Sequence, residues 1–288
     1  MQLRSLLIRL HLAEGIGYAG MTKVLHFCLR HQTVLTTAAE ISRVAKLSTR
    51  SARRFRVDWQ SDRFNQAVEQ HREIAILTIL DADYPLPLLE SFQPPLVLFM
   101  CGQRRLLGTT QLAVVGARQA SPYAARCVQR LLTPLAGQAV TIVSGLAQGT
   151  DSCAHRQALN LNLGTIAVIG TGLDVVYPRA NVALQTQVSQ VGLLISEYPL
   201  GCPPARHHFP ERNRIIAGLC QAILVVEARE HSGSLITANL ALQNNRNVLA
   251  VPGPIDAPMS VGCNQLILAG AKPVLNSRHI IEEIYPNI

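Results

Sequence analysis

The sequence predicts an α/β chain with a doubly wound, mostly parallel sheet, preceded by a small all-helical N-terminal domain. Two observations carry this. Beyond Leu106, apolar β-rich runs alternate strictly with helical stretches, the pattern of repeated βαβ units. The first 66 residues instead place apolar side chains three and four apart and carry no comparable β texture. At 288 residues the chain exceeds one average domain, so the expected division is 1–66 and 67–288.

The elements follow in order. Leu3, Leu6, Leu7 and Leu10 trace one helical face; Gly15, Gly17 and Gly20 interrupt it, and Val24, Leu25 and Leu29 resume it. Arg50, Arg53, Arg54, Arg56 and Arg63 gather around the only tryptophan, Trp59, with Phe55 and Phe64 nearby, which reads as a solvated helix face or as a partner-binding one. From Ile74 the texture turns to β in AILTIL and LVLFM. The DADYPLPLLESFQPP between them is too rich in proline for helix or central strand and reads as an ordered connector. Then LAVVGA, VTIVSG, TIAVIG, LLISEY, AILVVEA and VLAVPG alternate with helical segments. Nearly every one of these strands ends in glycine or a small residue followed by a polar loop. Those loops share the carboxyl edge of the sheet, where open α/β folds bind ligands.

Composition bounds the function. Net charge is +8 and the sequence pI about 9.4, which favours a polyanionic partner. Arginine dominates, with Lys23, Lys46 and Lys272 the only lysines, and its planar fork suits bidentate phosphate contacts. The seven cysteines are scattered without metal-ligand spacing, so a reducing cytoplasm is expected and no metal. No signal-peptide core and no run of roughly 18 apolar residues is present, so no membrane partner is expected.

The edge loops read Gly116-Ala117-Arg118-Gln119-Ala120-Ser121, Ser144 to Asp151, Gly170-Thr171-Gly172-Leu173-Asp174 and Ser232-Gly233-Ser234. Glycine admits close approach of backbone N–H groups to an anion, and a helix N-terminus adds further donors, so phosphate contacts are expected here. Neither G-x-G-x-x-G nor G-x-x-x-x-G-K-[ST] occurs, so no dinucleotide or NTP cofactor is expected. Asp151 reads as a helix N-cap and His155 as packed against the sheet; Asp174, Glu227 and His207-His208 have no nucleophile or metal cluster beside them, so no catalytic residue is expected. The stretch from His207 to Gly218 joins Phe209 to Arg212, Asn213 and Arg214 at a helix start, a combination able to stack a base and hold its phosphate. Arg214 has a second reading, as partner of a buried acid.

These motifs have a likeness. AVVGAR-x-x-S-x-Y, SGLA-x-G-x-D-x-x-AH, GLD-x-x-YP, SEYP-x-G, FP-x-RNRIIAGL, SGSLITA, AVPG and GCN-x-LI-x-x-GA occur in the order found in the DprA/Smf family, and the run Leu112–Leu275 resembles its Rossmann-like core. With Asp83-Tyr84-Pro85 upstream, the resemblance covers roughly three-quarters of the chain. It implies an extended Rossmann-like DNA-binding domain over 67–288 and a SAM-like or helix-hairpin-helix-like domain over 1–66. It further implies a cytoplasmic homodimer, not an enzyme, that binds single-stranded DNA during natural transformation, protects it and helps load RecA recombinase. The DNA contacts it implies are Arg118, Ser121, Ser144, Gly145, Gly149, Phe209, Arg212, Asn213, Arg214, Ser232, Gly233 and Ser234. Thr150 and His231 depart from the family pattern, where an aliphatic and a basic residue are expected; His231 makes charge at the Ser232 loop pH-dependent. The alternative is a nucleotide-processing enzyme of the lysine-decarboxylase-like phosphoribohydrolase group. Its P-G-G-x-G-T-x-x-E pattern has no counterpart in Ser232 to Asn239, which lacks the glutamate.

Overall fold

The computed structural model describes residues 2–285, which divide into two compact units. The smaller comprises the residues up to Tyr84 with Pro95–Phe99; the larger comprises Pro85–Pro94 and the residues from Met100 onward.

Five helices build most of the smaller unit: α1 (Leu3–Leu12), α2 (Tyr18–His31), α3 (Ala38–Val44), α4 (Thr49–Trp59) and α5 (Asp62–Gln70). Strand β1 (Ala75–Thr78) follows. Leu6, Leu7, Leu10, Ile41, Phe55, Phe64 and Leu77 are wholly buried and form its core, so the leucine periodicity of α1 marks the face that packs. Much of the arginine-rich stretch is engaged inside this unit. Arg54 pairs with Glu14 at 2.9 Å, Arg63 with the buried Asp58, and Trp59 stacks on Phe64 with ring centroids 4.9 Å apart beneath Arg9.

In the larger unit the connector forms a one-turn helix, α6 (Leu86–Leu89), that buries Leu88. Strand β2 (Val97–Gly102) runs into it. The βαβ series is β3 (Thr110–Val115), α7 (Pro122–Leu132), β4 (Val140–Ser144), α8 (Thr150–Asn160), β5 (Gly164–Ile169), α9 (Val182–Val191) and β6 (Leu193–Ser196). It continues through α10 (His208–Leu219), β7 (Ala222–Val225), α11 (Gly233–Gln243), β8 (Asn247–Ala250), α12 (Val261–Leu268), β9 (Lys272–Pro273) and α13 (Ser277–Ile284). The strands lie in the order β6-β5-β4-β3-β7-β8-β9, and every one of these neighbouring pairs is parallel.

Period-two alternation decides which helix covers which face. Leu112, Val114, Ile142, Leu224 and Leu249 bury against α7, α8 and α13, while α10 and α11 cover the opposite face. The strand order also fixes where a ligand goes. From β3 the chain builds outward through β4, β5 and β6, then returns to lay β7 on the other side of β3, with Val115 level with Val225. Loops after β3 and β7 therefore part in opposite directions and leave a crevice at the carboxyl edge.

Candidate functional site

A cleft of about 680 Å³ occupies this crevice. Its walls are Ala117, Arg118 and Gln119 after β3, Ala147 and Gln148 after β4, Phe209, Arg212 and Asn213 of α10, and Arg229 to Ser234 after β7. A small annex of about 60 Å³ continues past Gly145 and Phe209 to Gly170, Tyr177 and Pro178.

The Arg118 loop is held from below by α8. The Thr150 N–H donates to Ala117 O at 3.1 Å and its hydroxyl donates to the same carbonyl at 3.3 Å, so the departure at Thr150 adds a tie to this loop. Gly149 enters α8 with φ +78° and ψ −127°; a Cβ there would lie 2.3 Å from Ala117 O and 2.5 Å from Arg118 O. Gly149 is thus the point where two loops cross, and lies under the cleft. Arg118 itself is exposed, makes no ion pair or hydrogen bond among the described residues, and rests its guanidinium 5.3 Å above the centre of the Phe209 ring. Tyr177 packs on that ring at 5.4 Å.

Arg212 forms the buried floor. Its Nη1 donates to the carbonyls of Gly145 and Val168, and its Nε is buried without a partner among the described residues. Burial holds its pKa down at about 10, with the charge of Asp151 pulling the other way, so the guanidinium stays ionised at neutral pH. Gly145 is required here, because a Cβ would lie 2.3 Å from the Arg212 Nη1. Asp151 does not cap α8 as the sequence suggested. Gly149 holds the cap position, and the Asp151 carboxylate turns back to accept from the Gly145 and Ala147 N–H groups at 3.2 and 3.4 Å, which shapes the loop after β4. Its pKa is raised by burial and opposed by Arg212.

The far wall is the start of α11. No side chain among the described residues caps it; Ser232 and Ser234 instead bond each other through their hydroxyls at 2.7 Å. Gly233 and Ser234 of this first turn line the cleft, and a helix start favours an anion by both donors and dipole.

The structure thus brings seven of the expected contact residues to one cleft: Arg118, Phe209, Arg212, Asn213, Ser232, Gly233 and Ser234. Gly145 borders the annex. Four do not line the cleft. Ser144 is fully buried and donates to Val114 O at 2.6 Å. Ser121 caps α7, accepting from Tyr123 N at 3.1 Å, and its own N–H and hydroxyl donate to the buried Glu227. Gly149 supports the Arg118 loop from beneath. Arg214 pairs with Glu197 and donates to Gln93 O at 2.7 Å, two groups outside the cleft lining. Arg229 in the cleft and Tyr177 in the annex lie outside the expected set, although Arg229 follows β7 on the same carboxyl edge, the signal that marked Arg118.

Beneath the floor, His155 is fully buried, its Nδ1 2.7 Å from the Thr165 hydroxyl. Burial above all, then the charges of Arg212 and Arg156, lowers its pKa from 6.5 to about 3. The unfolded chain takes up a proton near pH 6.5 that the folded state refuses, so stability is full above that pH and is lost as pH falls toward 3. Going from pH 7 to pH 5, wild type should lose about 2 kcal/mol more of its urea-unfolding free energy than His155→Gln. Equal losses would show that His155 is not the group responsible.

The family model described as DNA recombination-mediator protein A matches residues 75–285. The chain belongs to that family. One relative, DNA processing protein DprA of Streptococcus pneumoniae, is 45% identical over 215 residues, covering 75% of this chain and 76% of that protein. Protein Smf of Escherichia coli is 46% identical over 202 residues, covering 70% of this chain but only 54% of its own length. The crystal structure of the S. pneumoniae DprA matches with TM-score 0.90 at 37% identity over 98% of both chains, so the likeness takes in the N-terminal helices as well. A DNA processing protein A from Helicobacter pylori, solved for its single-stranded DNA binding mode, matches with TM-score 0.66 at 29% identity, covering 75% of this chain and 98% of that one. No helix among the described residues is long and apolar enough to cross a membrane.

Proposed function

We propose that this chain is a DNA processing protein of natural transformation that binds single-stranded DNA in the cleft between the Arg118 loop, α10 and the start of α11. Binding is without catalysis. The observation that carries this reading is an unpaired, exposed arginine over an aromatic ring, facing an uncapped helix start across one crevice. A cation for the phosphate, a ring face for the base and N–H donors for an anion are the three elements of sequence-tolerant single-strand binding. Membership of the recombination-mediator family and the DNA-binding relative from H. pylori support it. Of the acids near the crevice, Asp151 and Glu227 are already committed to backbone amides and to Ser121, and Glu230 is exposed at the cleft rim beside His231, which favours binding over hydrolysis of a nucleotide.

The strand is then passed to RecA recombinase, a step that the mediator role of the family supports. The protein acts as a homodimer in the cytoplasm. Ile255 and Leu268 of the larger unit, 94% and 90% exposed, supply apolar surface for self-association, and seven unpaired cysteines suit a reducing compartment.

A salt-titrated comparison of oligo-dT with duplex DNA, with the mass of free and bound protein measured in solution, tests the reading. Phe209→Ala should weaken oligo-dT binding by about 1–3 kcal/mol, and Arg118→Ala should lower the salt slope by roughly 0.7, the value for one single-strand phosphate contact. Wild-type affinity in both variants would remove DNA from this cleft, and free base released from a nucleoside monophosphate would favour the enzyme instead.

A further inference from the structure

A second basic concavity belongs wholly to the smaller unit, between α2 and α3. It is lined by Lys23, Phe27, Arg30, His31, Arg43 and Lys46, together with His26, Leu29 and Val44, and no carboxylate among the described residues lines it. The side chains of Lys23, Arg30, Arg43 and Lys46 are exposed and make no hydrogen bond or ion pair among the described residues. The acid on α3, Glu40, acts on Arg43 by charge, but its carboxylate is turned back into the helix cap, accepting from the Thr37 hydroxyl at 2.7 Å.

Two explanations compete for these cations. Arg30, His31 and Arg43 stand in the last turns of α2 and α3, where positive charge complements the helix dipole. That accounts for three of them and not for the others. Lys23 sits in the N-terminal half of α2, where the dipole gives a cation no advantage, and Lys46 lies beyond the cap of α3. What the residues share is a face. Lys23, Phe27, Arg30 and His31 follow the i, i+4, i+7, i+8 rule, which spreads Lys23 and Arg30 about 10 Å apart along the helix. Phe27 is half-buried and packs on His31 with ring centroids 4.4 Å apart. Ring faces set among unpaired cations suit a nucleotide chain better than an acidic peptide, which needs only the charge.

We propose that this concavity is a second strand-binding surface, taking the sugar–phosphate backbone of single-stranded nucleic acid on Lys23, Arg30, Arg43 and Lys46 with a base against Phe27 and His31. It stands independently of the cleft in the larger unit, so Arg118→Ala is the background in which to look for it.

The test uses the full chain and a long oligo-dT. In the Arg118→Ala background, K23Q/R30Q should lower the salt slope by roughly 1.4 and raise Kd about ten-fold near 0.15 M salt, two single-strand contacts having been removed. K23E/R30E should do more, and F27A should weaken binding with the slope unchanged. The exposed pair on α4, changed as R53E/R56E, serves as control for diffuse charge and should leave Kd within about two-fold. Photocrosslinking to a bromodeoxyuridine-substituted oligonucleotide should recover the peptide carrying Phe27 and His31. The proposal is overturned by an unchanged slope in K23Q/R30Q, by an equal loss in the control, or by crosslinks confined to the larger unit. It is equally overturned if the variants keep DNA affinity and lose only a labelled oligoglutamate.

Discussion

Replacing Arg212 by methionine should lower the free energy of unfolding by about 3–5 kcal/mol, the largest effect of any single change at the site. Methionine keeps much of the volume and removes every donor. The carbonyls of Gly145 and Val168 are then left in the interior with no guanidinium to accept from, and Asp151 loses the charge that opposes its desolvation. Adding Asp151→Asn to Arg212→Met should recover part of the loss, because a neutral amide needs no compensating cation. A urea-unfolding free energy within about 1 kcal/mol of wild type for Arg212→Met would mean that these contacts carry little of the stability. DNA binding falls with the fold in this variant, so affinity alone does not separate the two roles of Arg212.

Gly149→Ala is the second large effect and acts by a different route. At φ +78° and ψ −127° the backbone is where only glycine is comfortable, and the added methyl meets two backbone oxygens rather than a side chain that can swing away. Strain of about 1–3 kcal/mol is expected from the dihedrals alone, and the overlap with Ala117 and Arg118 adds to it. The chain relieves the overlap by moving the Arg118 loop, so oligo-dT affinity should drop alongside thermal stability. Gly137, with φ +81° and open space around its Cβ position, offers the comparison: alanine there carries backbone strain with no overlap and should leave DNA binding intact. Equal affinity losses at the two positions would rule out the crossing of the loops as the cause.

Much of this architecture is legible in the sequence because each strand is a short apolar run closed by a small residue, and each helix carries its own period. The positions of Arg118, Phe209 and Ser232 follow from the same grammar, since whatever comes after a parallel strand lies on the carboxyl edge. Side-chain direction is not written there. Arg212 and Arg214 are two residues apart on one helix and so point about 200° from each other; the groups that engage Arg214 are Glu197 and the carbonyl of Gln93, both far away in the chain. Ser121 and Ser144 look identical to phosphate-binding serines until Glu227 and the Val114 carbonyl come beside them from other strands. The turn of Asp151 back to the loop after β4 is likewise a tertiary choice, which takes the N–H groups of Gly145 and Ala147 over those of its own helix start.

The cation already seated on Phe209 has a consequence for energetics. On the proposed reading, a base that takes the ring face under Arg118 evicts the guanidinium, and the contact given up is one of about 0.5–1 kcal/mol. The gain on capture is then a difference between two tenants of the same aromatic face. In that exchange the displaced arginine would be free to meet the phosphate of the same strand, so one event would both open the seat and free the hand that closes on it.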